Sequence, residues 1–397
     1  MPSFGLTFLS RSALREAEQL MLGETAGVRD EVGFLIVHQR YADRFFPGTS
    51  VLHTRLRYSL FIPWILERLK ARGAGGATFT DALRREETAL AERLKGEKYG
   101  VIGRLTLPEA SSQPPSYAYW TALSTWGLVD LKPSGRVWSR VELGALAAAS
   151  RGRTLKDDDG RPLAEAVWPV AELPPTPDGW DSDAPLGFGL LPREKHHLAK
   201  LLRAVRCPTT DTPSLLARLV GHSISDAGSC WEQAILDLAG EHRPALLRAG
   251  RAASLAAIGR GAYAALVEIQ KECDGRAAGH RHRDALAEVL TRHADWASGL
   301  DPDDLVADLQ PDLPSRVEEV LRRTLAWIRG GGTQVSDLLE AYRRAEIQRK
   351  GPRARLAEEQ RGVDRRIEWD AAKHPSPEPL HYRWDRVRLM MRDLEAA

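Results

Sequence analysis

Apolar residues recur at three- and four-residue spacing along most of this chain, the period of a helix with one buried face. Ser10 or Ser12 is placed to cap a helix to about residue 22, with Ala13, Leu14, Ala17, Leu20 and Met21 on its apolar side. A second helix is predicted over residues 30–46, burying Val32, Leu35, Ile36, Tyr41 and Phe45. The turn Phe46-Pro47-Gly48-Thr49-Ser50 follows. From Ser50, a good N-cap, a helix is predicted to residue 73, kinked or split by Pro63. Thr80 caps a predicted helix over 81–94, and residues 97–103 form a tight, glycine-punctuated connection. Beyond Pro192 the helical period returns, for example at Leu198, Leu201, Leu202 and Val205, and at Ala285, Leu286, Val289 and Leu290.

The pattern changes character twice. Residues 116–138 read as a helix rich in aromatic side chains (Tyr117, Tyr119, Trp120, Trp126) ended by Gly127, which tolerates φ > 0. A strand over 128–131, a Lys132-Pro133-Ser134-Gly135 turn and a return strand over 136–138 are predicted next. A helix followed by a short hairpin is the order of a recognition helix and wing, so a winged-helix-like unit is expected. Residues 152–192 hold Asp157, Asp158, Asp159 and seven prolines, which predicts a linker or an irregular span packed by Trp168, Trp180 and Phe188. The expectation is a mainly α protein: a helical module over 1–150 ending in the winged-helix-like unit, a Pro-rich span over 151–190, and a helical domain over 191–397.

Composition narrows the function classes. The net charge is +2 over 397 residues, so the chain as a whole is not a polyanion binder, although charge can be segregated locally. Residues 343–366 carry nine Lys or Arg against four acids, a net of +5. The three cysteines are far apart and form no CxxC pair, so no disulfide framework or thiolate zinc site is indicated. No uninterrupted apolar run approaches the ~18 residues of a membrane span, and the N-terminus lacks a signal-peptide pattern; a cytoplasmic protein with no membrane contact is expected.

Catalytic motifs do not assemble. Residues 221–225, Gly-His-Ser-Ile-Ser, lack the last glycine of a nucleophile elbow. His282 and His293 share a helical face but stand roughly 16 Å apart, too far for one metal. The turn at 47–50 ends on Thr49 and Ser50 but lacks the Walker spacing. We therefore expect no enzyme activity, no metal and no cofactor. The residues that suggest anion contact are Arg55 and Arg57 beyond the 47–50 turn, Lys132 and Arg136 flanking the wing, and Arg353 and Arg355 in the basic stretch. Such cations would position a phosphate backbone, here that of double-stranded DNA. On this reading, replacing Lys132 and Arg136 by alanine weakens DNA binding across all sequences and flattens its salt slope.

Several segments resemble an uncharacterised family of bacterial proteins: Phe4-Gly5, residues 46–64 (FPGTSVLHTRLRYSLFIPW), residues 97–103 (EKYGVIG), Tyr119-Trp120 with Trp126-Gly127-Leu128, and the Tyr382-Arg383-Trp384 end with its closing Arg392-Asp393-Leu394. The family is encoded in anti-phage defence islands beside helicases, DNA methyltransferases and phospholipase-D-like nucleases. The resemblance implies an accessory subunit of such a system and transfers no catalytic residue. Two expectations follow: a non-catalytic DNA-binding or scaffolding subunit of a defence complex, or an adaptor that assembles a nuclease or helicase without touching DNA.

Overall fold

The computed structural model describes residues 30–149, 168–311 and 313–395. The predicted first helix, the Phe4-Gly5 pair and the Asp157–Asp159 cluster lie outside them. The fold is mainly α, with fifteen α-helices among the described residues. In chain order they are α1 (Leu35–Phe45), α2 (Tyr58–Ala71), α3 (Phe79–Arg93), α4 (Pro115–Thr125), α5 (Arg140–Ala149), α6 (Pro192–Arg203), α7 (Leu215–Leu219) and α8 (Gln233–Leu238). Then come α9 (Arg243–Cys273), α10 (Arg281–Ser298), α11 (Pro302–Leu309), α12 (Ser315–Arg329), α13 (Leu339–Lys350), α14 (Gln360–Ile367) and α15 (Trp384–Glu395). The chain divides into two compact units that do not follow the expected division at 150 and 190. Each unit is built from two pieces of sequence: one from residues up to 42 with 227–382, the other from 43–226 with 383 onward.

The unit built on 43–226 and the final helix is organised around α2. Ten of the fourteen α2 residues are buried, from Tyr58 to Leu66 and Leu69, so this helix is apolar all round rather than one-sided. It packs against α3 and α4. The Pro-rich span is not a free linker: Trp180 and Phe188 are buried, the Trp180 ring stacks on Phe61 at 5.9 Å, and Trp64 Nε1 donates to the Pro174 carbonyl at 3.0 Å.

Two local expectations are corrected here. The helix predicted from Ser50 starts only at Tyr58. Ser50 Oγ instead accepts from Leu52 N within a turn, and the next free N–H groups are taken by side chains: Thr54 N and Arg55 N by Tyr119 Oη, Leu56 N by Asp393. The wing is not a hairpin. Val129 forms an antiparallel bridge with Val170, flanked by Asp130 N to Pro169 O and Ala171 N to Leu128 O. Toward the expected return strand there is the Lys132 N to Arg136 O bond, which closes a turn. Ser139 and Glu142 then make reciprocal side-chain to backbone bonds, a capping box that draws the chain into α5 before a strand can extend. Gly127 does end α4 with φ +76°, as expected.

The other unit is centred on α9, thirty-one residues long with twenty buried. Its small residues admit large rings: a Cβ built on Gly259 would lie 2.0 Å from Phe34 Cζ, and one on Gly250 2.8 Å from Trp231 Cγ. This helix is the one described segment long and apolar enough to cross a membrane, but 89% of its apolar window is buried in the protein, where it serves as core. The buried Glu268 carboxylate accepts from His282 N and Arg283 N, capping α10 from its neighbour.

Candidate nucleic-acid interface

The structure turns most of the sequence-predicted cations inward. Arg57 is buried; its Nη2 meets Glu194 Oε1 at 2.8 Å and its Nη1 donates to the Gly187 carbonyl at 2.7 Å. Arg55 is partly buried, with Nε at 2.9 Å and Nη2 at 2.8 Å from Asp393 Oδ1. Burial raises the Asp393 carboxyl above its usual range despite that contact. His53, two positions before Arg55, is fully buried, stacked on Tyr119 at 4.1 Å, with Nε2 3.1 Å from the Ala118 carbonyl. Burial drives its pKa down to about 3, so it is neutral near pH 7 and offers no charge to an anion. The 47–58 segment is thus a packed joint, and its cations hold the unit together.

Lys132 ion-pairs with Glu142, and its ammonium lies 5.4 Å from the Trp138 ring centroid. Arg136 is exposed at the turn. In the other unit Arg355 meets Glu31 at 3.2 Å, Lys350 also ion-pairs with Glu31, and Arg349 pairs with Asp30. Burial pushes Glu31 up, but Lys350 and Arg355 outweigh it and hold the carboxyl below its usual range. Arg366 contacts both Asp274 oxygens, at 2.6 and 2.8 Å. The net charge of residues 343–366 is therefore largely met by acids from elsewhere in the fold, and of the two candidates in that stretch only Arg353 is exposed. Arg55, Arg57, Lys132 and Arg355, expected at phosphates, are thus each engaged in an ion pair within the fold. Trp126 and Tyr119 are buried in the core, and the half-buried Trp120 has its Nε1 occupied by the Trp138 carbonyl at 2.7 Å.

What the same unit displays outward is the loop between α3 and α4. Its backbone is braced from beneath. Tyr58 Oη accepts from Ile102 N at 2.9 Å, Thr54 Oγ1 donates to the Gly100 carbonyl at 2.7 Å, and Glu97 Oε1 accepts from Phe188 N at 2.8 Å. Gly100 has φ +89° and rests on Arg55, where a Cβ would come 2.6 Å from Arg55 Cγ. On the outer side Tyr99 is 70% and Leu105 99% exposed. The Lys98 ammonium lies 5.1 Å from the Tyr99 ring centroid. Arg104 Nη1 donates to the carbonyls of Glu97, at 2.7 Å, and Lys98, at 3.2 Å, which sets its guanidinium beside the Lys98–Tyr99 pair. With the Glu97 carboxylate engaged at Phe188, the outer edge carries two cations and an aromatic face. Such a set can meet a phosphate and a planar ring together.

A small cavity lies under this loop, lined by Arg84, Glu87, Thr88, Ile102, Leu107 and Pro114, among others. Glu87 is buried there and accepts the Ser116 N–H, capping α4. Burial pushes its pKa up to about 7, outweighing the Ser116 hydrogen bond. Sequence reading missed the loop because residues 97–103 looked like punctuation; the available signal was Lys98-Tyr99 between Gly96 and Gly100, followed by Arg104-Leu105 after Gly103.

Residues 10–306 match a family of unknown function, DUF6361. The chain belongs to this family. No curated protein matches it, and no solved structure does. In this DUF6361 protein the matched region includes the braced loop, the 47–58 joint and α9. Among the described residues no group of three or more His, Cys, Asp or Glu is arranged to hold a metal.

Proposed function

We propose that this protein is a non-catalytic DNA-binding subunit of a bacterial anti-phage defence complex, acting in the cytoplasm beside a helicase, methyltransferase or nuclease. The setting rests on the sequence resemblance described above. The DNA contact rests on one observation: the braced loop that exposes Lys98, Tyr99 and Arg104 on one edge, with the Glu97 carboxylate engaged by the Phe188 N–H. A cation held by backbone carbonyls, as Arg104 is, loses little freedom on meeting phosphate, which favours contact over a merely solvated surface.

Fluorescence anisotropy of the full chain with labelled DNA across a salt series tests this. K98A/R104A is expected to weaken binding and flatten the slope of log affinity against log salt, whereas K132A leaves both unchanged. Loss on K132A with K98A/R104A unaffected would return the contact to the wing. Cleavage of DNA with Mg²⁺ would end the non-catalytic reading. The adaptor reading is favoured by a different observation, the 99% exposure of Leu105. Tyr99, exposed in the same loop, is of a type enriched at protein-docking hot spots, and an exposed apolar residue in that loop would widen such a contact. Co-purification that depends on Leu105 and is indifferent to Lys98 and Arg104 would select it.

A further inference from the structure

We infer that the loop edge binds single-stranded nucleic acid, with Tyr99 as a stacking platform for one unpaired base and Lys98 and Arg104 on the flanking phosphates. The inference rests on the DNA-contact reading above and adds the form of the strand.

Two observations carry it. The first is what the described residues of the unit do not offer for reading a duplex. A groove is read by an inserted helix or two-stranded ribbon. On α4, the expected recognition helix, Ser116, Ala118, Tyr119, Ala122 and Leu123 are buried. The expected ribbon is a closed turn whose first strand pairs with residues 169–171. The second is what the loop offers instead. Tyr99 is 70% exposed, so an aromatic face is open to solvent, and a stacked ring needs a base already free of its partner. Lys98 sits 5.1 Å from that ring, and Arg104 is fixed to the Lys98 carbonyl, so both cations are held within a nucleotide's reach of the stacking face. Aromatic faces interleaved with cations are how strands are held without sequence preference. Charge complementarity and the open ring agree on one occupant.

The test uses the full chain with fluorescein-labelled twelve-nucleotide dT and U strands and a twelve-base-pair DNA duplex, at several salt concentrations. Tighter binding of single strands than of duplex is expected. Y99A should weaken single-strand binding about tenfold or more, and Y99F should retain it because the ring stacks without its hydroxyl. Parallel loss on dT and U, or on dT alone, distinguishes a sugar-indifferent site from one for DNA; either result supports stacking. If Y99A binds like the parent while K98A/R104A loses affinity, the stacking inference fails and the phosphate-contact reading stands. Equal affinity for duplex also overturns it. If neither strand form binds at low salt, both readings fall. The far-ultraviolet circular dichroism of Y99A should match the parent, since the side chain is mostly in solvent.

Discussion

Removing the Arg57 guanidinium tests the claim that this cation holds the fold together and contacts no ligand. Arg57 is 5% exposed and Glu194 is fully buried, 2.8 Å away. In R57A, Glu194 keeps the Leu191 N–H at 3.1 Å as a partner, but its charge stays desolvated and unpaired. The Gly187 carbonyl loses its donor as well. Breaking a buried pair from one side costs about 3–5 kcal/mol. At about 2–4 °C per kcal/mol for a domain of this class, the melting point of the affected transition should drop by about 6–20 °C. R57K should fall between, because one ammonium cannot span both acceptors as the guanidinium does. Replacing both partners by methionine should recover much of the loss, since no charge is left buried. Urea unfolding followed by circular dichroism reads the first effect, and anisotropy on the folded fraction reads the second. R57A with the parent's unfolding midpoint but weakened DNA affinity would refute the reasoning and restore Arg57 as a contact.

Three further outcomes are expected. His53 has its pKa depressed to about 3 from 6.5 by burial; the neutral form is the folded one, so its contribution is present above pH 6.5 and is lost as pH falls toward 3. That loss is up to about 5 kcal/mol at 1.36 kcal/mol per unit, and a urea midpoint that stays flat from pH 7 to 4, or whose slope survives in H53Q, would count against it. Glu87 is shifted the other way, to about 7 from 4.5, so its contribution is present below pH 4.5 and lost as pH rises through 7. E87Q should therefore be more stable than the parent at pH 8, by up to about 3 kcal/mol, and equal to it near pH 4; a gain that ignores pH would contradict the burial argument. G259A should lose about 1–3 kcal/mol from overpacking against Phe34, even though alanine is the better helix former by about 1 kcal/mol. Combining it with F34L should cost less than the two separate losses added together, and strict additivity in urea unfolding would show that the ring does not seat on Gly259.

The helical class was legible because local periodicity suffices for it: α6 with Leu198 and Leu202 inward is visible in the spacing alone. The Gly127 stop and the packing of Trp180 and Phe188 were legible for the same reason, being local chemistry or bulk that must find a core. Charge partners were not. Arg57 meets an acid 137 positions away and Arg55 one 338 positions away, and nothing in the flanking residues marks those pairings. A basic stretch therefore read as a surface when Asp30, Glu31 and Asp274 were waiting for it. The hairpin failed because two local rules competed: Lys132-Pro133-Ser134-Gly135 makes a turn, but Ser139 and Glu142 start a helix within a few residues, leaving Val129 to pair with Val170. The loop edge at Lys98, Tyr99 and Arg104 went unread because exposure depends on the brace from Thr54, Tyr58 and Phe188, none of them adjacent in sequence.

The crossed division of the chain has a temporal consequence. Neither unit is contiguous: one needs residues on both sides of the 43–226 stretch, and the other needs the helix Trp384–Glu395. As the polypeptide leaves the ribosome, α2 emerges with its joint at Arg55 still without Asp393. At about 5–20 residues per second, roughly 10–30 s separate the emergence of residue 226 from that of the closing helix. For that interval Phe46 lacks the Trp384 ring, 5.9 Å away in the finished fold. The unit built on 43–226 stays incomplete until the helix Trp384–Glu395 is made, so a product interrupted before that helix leaves Arg55 without its acid.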